Sequence, residues 1–404
     1  MARTNRGVYK ERAALLKRCL ITVVSIAFAV GGLAIVRYQA AAWQPDTTQE
    51  EQLPPLPDSL LRYASARVEA IQPICVKEKV LPNVFLLGAQ KAGTTEMYHV
   101  LEPSGIRNMM HFAIHNWQPP QAKKEWHVFD TGMGMETWSM QEVAKHWYSM
   151  LPSCLGQTLA PLPDYKGHDA PINLSADVRL ADYTPRNLCL TDVDDLQVDG
   201  PSSIDLPYTL HYLYGVEAAR IRFMVQLREP LSRMQSSFYM LKRNTPRLVD
   251  RPTFREQLRF VLNLLDEGTV HRYLWRSLYG RHLEGWFTYF HPGQFSIVPY
   301  RYLNDKYYDT DVVCRDLSSH LQHQLKCELF KRPNKGGQRH LYPAVDEDVP
   351  VYLLSRARSG LANETARLEA VLIFAQDHGA TMPHLDRDAP HLLAEVRAWL
   401  QEGW

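Results

Sequence analysis

The chain has 404 residues, which is more than one average domain but compatible with one large α/β domain and additional segments. Hydrophobic residues make up 45% and charged residues 22%, a balance that supports a sizeable core and argues against extensive disorder. The formal net charge is +1, so the overall charge does not indicate nucleic acid as a partner, and any anion site must be local.

The first predicted element is a membrane anchor. Residues 19–36 (CLITVVSIAFAVGGLAIV) carry no charge and are about long enough to cross a bilayer. Six lysines and arginines lie within residues 1–18, whereas only Arg37 follows the apolar run closely. This excess predicts a cytosolic tail at 1–18 and the bulk of the chain across the membrane. The alternative is a signal peptide cleaved near Ala40, but the apolar run is long for one.

A stem and a large domain are predicted to follow the anchor. Residues 37–74 read as the stem, because WQPDTTQEEQLPPLPDS within them is rich in proline and acidic residues and has no clear period. The domain beyond the membrane is predicted at 75–404. Two sequons, at Asn173 and Asn363, fit glycosylation of a lumenal domain.

The cysteine count predicts at least one free or intermolecular thiol. Of six cysteines, Cys19 lies in the anchor, and the other five cannot all pair within the chain. Cys314 and Cys327 are the nearest pair, and an oxidising lumen makes a bridge between them plausible.

The core is predicted to begin with a strand, a glycine loop and a helix. The apolar run at 83–87 leads into GAQKAGTT at 88–95, and residues 94–101 have helical character. Such a loop points several backbone N–H groups, together with the positive end of a helix, at one spot, and therefore binds phosphate.

Further strands and helices alternate along the rest of the chain. The predicted strands are 126–129, 172–178, 221–227 and 295–299, and the predicted helices are 137–150, 208–219, 231–242, 254–266 and 272–290. This alternation predicts an α/β fold with a mainly parallel, P-loop-like sheet that helices cover on both faces.

The position of the lysine distinguishes this loop from the triphosphate-binding pattern G-x-x-x-x-G-K-[ST]. Gly88 and Gly93 have the right spacing, but Thr94 stands where the pattern requires lysine, and the lysine is Lys91, inside the loop. A lysine there lies close to the phosphate that the loop itself holds. The pattern therefore favours a nucleotide whose reacting group adjoins its first phosphate, and the alternative is a simple turn with a solvated lysine.

A second segment, IRFMVQLREPLSRMQSSFY at 221–239, carries further candidate anion ligands. Arg228 directly follows a predicted strand, and Ser236 lies eight residues later on the following helix. The arginine fork and the serine hydroxyl could bind one anion together. The alternative is an ordinary helix start with basic residues on the surface.

Together these two segments resemble those of the Golgi carbohydrate sulfotransferases of the heparan sulfate and chondroitin type. The resemblance implies that 3′-phosphoadenosine 5′-phosphosulfate (PAPS) is the co-substrate. It places the 5′-phosphosulfate on the loop residues Lys91, Ala92, Gly93, Thr94 and Thr95, and the 3′-phosphate on Arg228 and Ser236. The lysine inside the loop would then meet the leaving phosphate and the transferring sulfuryl group.

The resemblance extends to two further segments. KEWHVFD at 124–130 is similar to the family's strand with a glutamate and a histidine, which implies that Glu125 is the base and that His127 orients the acceptor or serves as the base instead. The loop Lys335-Gly336-Gly337 is similar to the one that closes over the nucleotide in the family. Tyr183 stands where the family usually has a lysine, so the acceptor, and the choice between a hydroxyl and an amine, stay open.

The resemblance implies that the protein is a type II Golgi membrane sulfotransferase of the EC 2.8.2 class, acting on a glycosaminoglycan-like polysaccharide or other glycan. Its expected partners are this acceptor and the membrane, with no nucleic acid. No metal is needed for sulfuryl transfer, and no His/Cys cluster has metal-ligand spacing. The alternatives are a non-catalytic lumenal protein that binds nucleotide or glycan, and a P-loop kinase, which Thr94 argues against.

Glu125→Gln keeps the shape of the side chain and removes the predicted base. Strand alternation puts Glu125 and His127 on one side, where both could face the acceptor. We expect near-normal PAPS binding and a sulfate-transfer rate lower by at least about a hundredfold, the usual size of a general-base effect. His127→Ala should show a smaller loss. An active Glu125→Gln protein beside an inactive His127→Ala protein would make histidine the base, and two active variants would place the acceptor site elsewhere.

Overall fold

Four strands at the centre of the molecule consist entirely of buried residues, which is typical of a parallel sheet covered on both faces. They are Val84–Gly88, Arg179–Asp182, Arg222–Leu227 and Phe295–Pro299. The computed structural model describes residues 68–112, 129, 138–155, 158–159, 172–175, 177–191, 197–199, 204–246, 249–304, 310–330, 343–383 and 392–401.

Among the described residues, five parallel strands form the central sheet, and from one edge to the other they are Phe295–Pro299, Arg222–Leu227, Val84–Gly88, Arg179–Asp182 and Ile106–Asn108. In chain order the strands are β1 (Ile74–Val76), β2 (Lys79–Leu81), β3 (Val84–Gly88), β4 (Ile106–Asn108), β5 (Thr158–Leu159), β6 (Ile172–Asn173), β7 (Arg179–Asp182), β8 (Gln197–Asp199), β9 (Arg222–Leu227), β10 (Thr269–His271) and β11 (Phe295–Pro299). Three two-stranded sheets, β1–β2, β5–β6 and β8–β10, lie outside the central one.

Helices connect the parallel strands and cover the sheet. In chain order they are α1 (Thr94–Leu101), α2 (Met140–Met150), α3 (Leu206–Tyr214), α4 (Pro230–Asn244), α5 (Phe254–Asp266), α6 (Arg272–Trp275), α7 (Tyr279–Phe287), α8 (Arg301–Asn304), α9 (Thr310–Leu321), α10 (Val345–Asp348), α11 (Val351–Asp377) and α12 (Leu392–Gln401). The predicted α/β class with a parallel sheet flanked by helices is confirmed.

Side chains of β9 alternate between two cores, one on each face of the sheet. Phe223 and Leu227 belong to the larger hydrophobic cluster, in which Phe223 stacks on Phe295 with the ring centroids 4.6 Å apart. Met224 belongs to the opposite cluster, together with Met97 of α1. This alternation follows from the period of two in a strand, and it places α1 against the second face.

Several elements have the predicted bounds. The helices α1 and α5 and the strand β11 begin and end at the predicted residues, and β3, β9 and α4 differ from the predictions by at most two residues at each end. These are the elements with the clearest apolar runs or periods, for which local pattern is most informative.

The strand predicted at 172–178 was misplaced. Ile172–Asn173 forms only a short strand of the β5–β6 hairpin, and the strand of the central sheet begins at Arg179. The side chain of Arg179 can be buried because its guanidinium donates hydrogen bonds to the carbonyl oxygens of Leu321 (3.0 Å) and Gln322 (2.9 Å). Because arginine is charged, a hydrophobicity pattern does not predict it as the first residue of a buried strand.

The helix predicted at 272–290 is two helices, α6 and α7. The carbonyl oxygen of Tyr273 accepts a hydrogen bond from the Arg233 guanidinium, and the backbone N–H of Ser277 donates to Leu274 instead. A long-range side chain therefore takes the carbonyl that would have continued the helix. The α-helix predicted at 208–219 ends at Tyr214, and a 3₁₀ helix, Gly215–Arg220, follows it.

Several predictions fall wholly or partly outside the described residues. The predicted anchor at 19–36 lies outside them. Of the strand predicted at 126–129, the structure describes only Phe129, which is buried and lies in a turn. In the parts of the chain that the structure describes, no helix has the length and apolar character to cross a membrane. Asn173 and Asn363 are both exposed, and glycosylation of either stays a prediction.

Two disulfides connect the described part of the chain. Cys314 at the middle of α9 pairs with Cys327, as expected from the sequence, and Cys75 in β1 pairs with Cys154. Cys189 is the free cysteine of the described residues, and it is buried. The sequence alone had left the pairing of Cys75, Cys154 and Cys189 open.

Removing the two disulfides should destabilise the protein unequally. The bonds close loops with sequence separations of 79 and 13 residues, for which the chain-entropy model gives about 4.5 and about 3 kcal/mol. We expect Cys75→Ala/Cys154→Ala to lower the free energy of unfolding more than Cys314→Ala/Cys327→Ala in denaturant titrations. Peptide mapping of the denatured, unreduced protein should find Cys189 alkylated and four cysteines linked, namely Cys75, Cys154, Cys314 and Cys327. Free thiols at any of those four positions would contradict the pairing.

Candidate functional site

The carboxyl ends of β3, β9 and β11 lie side by side at one edge of the central sheet. The register pairs Leu227 with Pro299, so β9 and β11 end at the same level, and it pairs Gly88 with Val225, so β3 ends two residues earlier at the same edge. Ligands of α/β proteins bind at this edge. The loop at 88–93, Arg228 and Tyr300 therefore leave neighbouring strands at the same place.

The loop at 88–93 leads into a helix start that no side chain caps. Gly93 precedes α1 with a φ of +93°, a conformation that favours glycine, and no side chain bonds the first N–H groups of the helix. None of the hydrogen bonds within the described residues uses the backbone N–H of Gly93, Thr94 or Thr95. Unused N–H groups and the helix dipole both attract negative charge. We call the loop with Thr94 and Thr95 the anion cradle.

Arg228 joins the second motif to the cradle. Its Nη1 donates a hydrogen bond of 3.1 Å to the carbonyl oxygen of Lys91, and its guanidinium lies over the ring of Tyr300, 4.7 Å from the centroid. The backbone N–H of Tyr300 donates to the carbonyl of Leu227 at 2.6 Å. The loop and the residue after β9 are thus held in contact although 137 positions separate them in the chain.

The loop residues predicted to hold the 5′ end differ in burial. Lys91 is half-buried with a φ of +72°, Ala92 and Thr94 are buried, and Thr95 is exposed. Ser236 lies on α4, 6% exposed. The structure therefore brings the loop and Arg228 together, while the sharing of one phosphate by Arg228 and Ser236 stays a prediction.

The start of α4 differs from that of α1, because its own carboxylate occupies it. Glu229 accepts hydrogen bonds of 2.5 Å from the backbone N–H groups of Leu231 and Ser232. Burial raises the pKa of Glu229 to about 7, against the opposing effect of these bonds and of Arg228. Any anion beside this segment must therefore bind side chains such as Arg228 rather than the helix N-terminus.

Tyr183, at the position where the resemblance led us to expect a lysine, belongs to the core. Its side chain is fully buried, its hydroxyl donates to the carbonyl of Ile106 at 2.7 Å, and its ring packs edge-on against Tyr98. Burial raises the pKa of Tyr183 well above its usual value. This position therefore supplies a packing group and no charged group to the site.

The remaining predicted site residues lie outside the described part of the chain. They are Glu125, His127, Lys335, Gly336 and Gly337. The roles of the predicted base and of the predicted closing loop therefore stay predictions. Among residues that the structure does describe, no group of three or more His, Cys, Asp or Glu side chains is arranged to hold a metal ion.

Tyr300 is a site residue that the sequence analysis missed. A Cβ added at Gly93 would lie 2.6 Å from the Tyr300 ring, so this ring packs directly against the end of the loop. The signal was present in the position of Tyr300, immediately after a predicted strand. Its relevance depended on β11 being next to β9, which the sequence pattern does not show.

Comparison with known proteins finds similarity among solved structures. No family model matches the chain, and no curated protein matches it. It is similar to the crystal structure of a sulfotransferase from Alicyclobacillus acidocaldarius, with 17% sequence identity over 72% of this chain and 96% of that chain and a TM-score of 0.40. Similarity at this level does not establish a shared fold or activity.

The arrangement at this edge can bind a phosphate-like anion. The cradle supplies backbone N–H groups at a helix start, and Lys91 and Arg228 supply positive charge at the same place. Charge-assisted hydrogen bonds from such groups are among the stronger ones in proteins.

Gly93→Ala should destabilise the protein by more than the strain of its backbone alone. Gly379→Ala is the matched control, because Gly379 has a φ of +82° but nothing within 4 Å of an added Cβ. We expect a loss of about 1–2 kcal/mol in the free energy of unfolding for the control, and a further loss of about 1–3 kcal/mol for Gly93→Ala from overpacking against Tyr300. Tyr300→Ala in the Gly93→Ala background should remove the second part. Equal losses for the two single variants in denaturant titrations would show that Tyr300 does not constrain the loop.

Proposed function

We propose that the protein is a PAPS-dependent sulfotransferase that transfers a sulfuryl group to a glycan. The observation that carries the proposal is the contact between the loop at 88–93 and Arg228, with Lys91 inside the loop and the start of α1 without a side-chain cap. A lysine in this position favours a nucleotide whose reacting group adjoins the 5′-phosphate. Arg228, the second cationic residue beside the loop, could bind another phosphate of the same nucleotide.

The described residues fit PAPS as a ligand. Its 5′-phosphosulfate would bind the cradle and Lys91, and its 3′-phosphate would bind Arg228 and Ser236. The stacking of Arg228 on Tyr300 and its bond to the Lys91 carbonyl limit the movement of the Arg228 side chain and of the loop backbone, so less conformational entropy is lost on binding. Lys335, Gly336 and Gly337 are proposed to close over the nucleotide.

PAPS supplies the sulfuryl group and a phosphate leaving group. Lys91 holds positive charge where negative charge develops on the leaving phosphate, which is the usual way that protein cations lower such a barrier. Glu125 takes the proton from the acceptor hydroxyl, with His127 as the orienting residue or the alternative base. An amine acceptor would require the same proton transfer.

The cellular setting is proposed from the sequence and the disulfides. A single anchor at 19–36 with a positively charged tail supports a type II orientation. The pairs Cys75–Cys154 and Cys314–Cys327 support an oxidising compartment such as the lumen of the secretory pathway. We place the protein in the Golgi membrane with its catalytic domain in the lumen and a glycosaminoglycan-like glycan as acceptor.

Lys91→Ala should abolish most of the activity while leaving the fold intact. The direct test is transfer of labelled sulfate from PAPS to a panel of polysaccharides. Loss of one transition-state contact worth over about 1.4 kcal/mol lowers the rate at least about tenfold. Lys145→Ala is the matched control, because Lys145 is an exposed lysine of α2.

Three outcomes of the transfer assay distinguish the proposal from its alternatives. PAPS binding without transfer to any acceptor would favour a non-catalytic binding protein. Phosphate transfer from ATP would favour a kinase. Equal transfer rates for the wild type and Lys91→Ala would remove Lys91 from the mechanism.

A further inference from the structure

Gln226 is a buried polar residue of the central sheet whose amide makes no hydrogen bond. It is the last residue but one of β9, and its side chain is fully buried. Among the described residues, neither its Oε1 nor its Nε2 atom has a hydrogen-bond partner. Leaving buried polar atoms unpaired destabilises a protein, so a side chain of this kind calls for a physical explanation.

The side chain of Gln226 lies on the face of the sheet that α1 covers, at the level where the loop begins. Its backbone carbonyl accepts a hydrogen bond of 2.8 Å from the N–H of Ala89, the second residue of the loop. Strand alternation puts its side chain on the same face as that of Met224, which belongs to one hydrophobic cluster with Met97 of α1. Val298, the partner of Gln226 on β11, belongs to this cluster too.

Thr94 brings a second polar group to the same interface. It is the first residue of α1, it is 4% exposed, and it precedes Met97 and Leu101 of the cluster by three and seven residues. This spacing puts the three side chains on one face of the helix. Within the described residues, no hydrogen bond uses the Thr94 hydroxyl or its backbone N–H. The end of β9 and the start of α1 thus each contribute an unpaired polar group to an otherwise apolar interface.

We propose that Gln226 is a positioning residue of the anion cradle. When the 5′-phosphosulfate binds, the Nε2 of Gln226 donates a hydrogen bond to Oγ1 of Thr94, and the Thr94 hydroxyl donates to the anion. This inference rests on the proposed function, because it takes PAPS as the ligand. Because Gln226 is fully buried, it acts through Thr94 and does not touch the nucleotide.

The chemistry of the two groups suits this arrangement. A hydroxyl accepts and donates at the same time, so an amide N–H that occupies its acceptor position leaves its proton for the anion. The amide that is unpaired in the ligand-free protein gains a partner in the complex. The energetic cost of burying it is then partly recovered when the nucleotide binds, which favours the bound state.

Gln226→Met tests the proposal, because it keeps the length of the side chain and removes both polar atoms. The Tm of the ligand-free protein should rise by about 2 °C or more, since unpaired buried polar atoms are removed. Binding of adenosine 3′,5′-bisphosphate should nevertheless weaken at least about fivefold, the size expected for one hydrogen bond. Binding of adenosine 3′-monophosphate, which lacks the 5′ phosphate, should change by less than about twofold.

Both affinities are measured on the full-length protein from the shift in Tm over graded ligand concentrations, relative to the ligand-free Tm of the same variant. Ser296→Ala is the matched control. Ser296 lies on the same face of neighbouring β11, paired with Met224, and its fully buried Oγ likewise has no partner among the described residues. Its removal should raise the Tm and leave both affinities unchanged, because it is two residues further from the site edge than Val298, the partner of Gln226.

Thr94→Val tests the link between the two residues. This change removes the hydroxyl and keeps the shape of the side chain, so it should also weaken binding of the bisphosphate. Gln226→Met should add little to that loss in the Thr94→Val background, because the two groups act as one unit. Additive losses in the double variant would show that Gln226 does not act through Thr94 and would contradict the proposal.

The remaining outcomes separate this inference from the proposed function. Wild-type protein that binds the bisphosphate, together with a Gln226→Met variant of equal affinity, overturns the role of Gln226 and leaves the proposed function standing. Equal losses for the two nucleotides would show a general structural role and also overturn it. If Gln226→Met does not fold, Thr94→Val decides, and unchanged bisphosphate binding there contradicts the proposal. Wild-type protein that binds neither nucleotide refutes both.

Discussion

The parallel register of β3, β9 and β11 is the constraint on which the candidate site depends. Parallel strands end at the same edge of a sheet, and each must be reached through a crossover connection. Lys91 and Arg228 are consequently far apart in the chain but close enough for a hydrogen bond. The buried apolar residues of these strands, which hold the register, therefore also set the geometry of the polar residues that follow them.

Positive charge is concentrated at this edge although the chain as a whole is almost neutral. The net charge is +1, yet three cationic side chains lie at or beside the loop. Lys91 belongs to it, Arg228 donates to the carbonyl oxygen of Lys91, and Arg276 donates to Oε1 of Gln90. The two helix starts nearby have opposite character, since α1 has no side-chain cap and Glu229 caps α4. One helix start is thereby left for an exogenous anion, and at the other an arginine side chain must do the binding.

Two side chains, Arg233 and Tyr300, give rigid support to the site. The fully buried Arg233 interrupts what would otherwise be one helix at 272–290, and the resulting turn carries Arg276. Tyr300 packs against the end of the loop while it stacks on Arg228. Pre-organised cations lose little freedom when a ligand binds, which is why such supporting contacts matter for affinity.

Local patterns in the chain were sufficient to predict the strand, loop and helix at 83–101, the end of β9 just before Arg228, and the alternation of strands and helices. The reason is that the signals of hydrophobic period, glycine and helix start act over a few residues. The pairing of Cys314 with Cys327 also followed from closeness in sequence. Strand order, the start of β7 at Arg179, the break in the helix at 272–290 and the packing of Tyr300 against the loop did not follow. Each depends on a contact between residues far apart in the chain, and such contacts form only when the sheet has assembled.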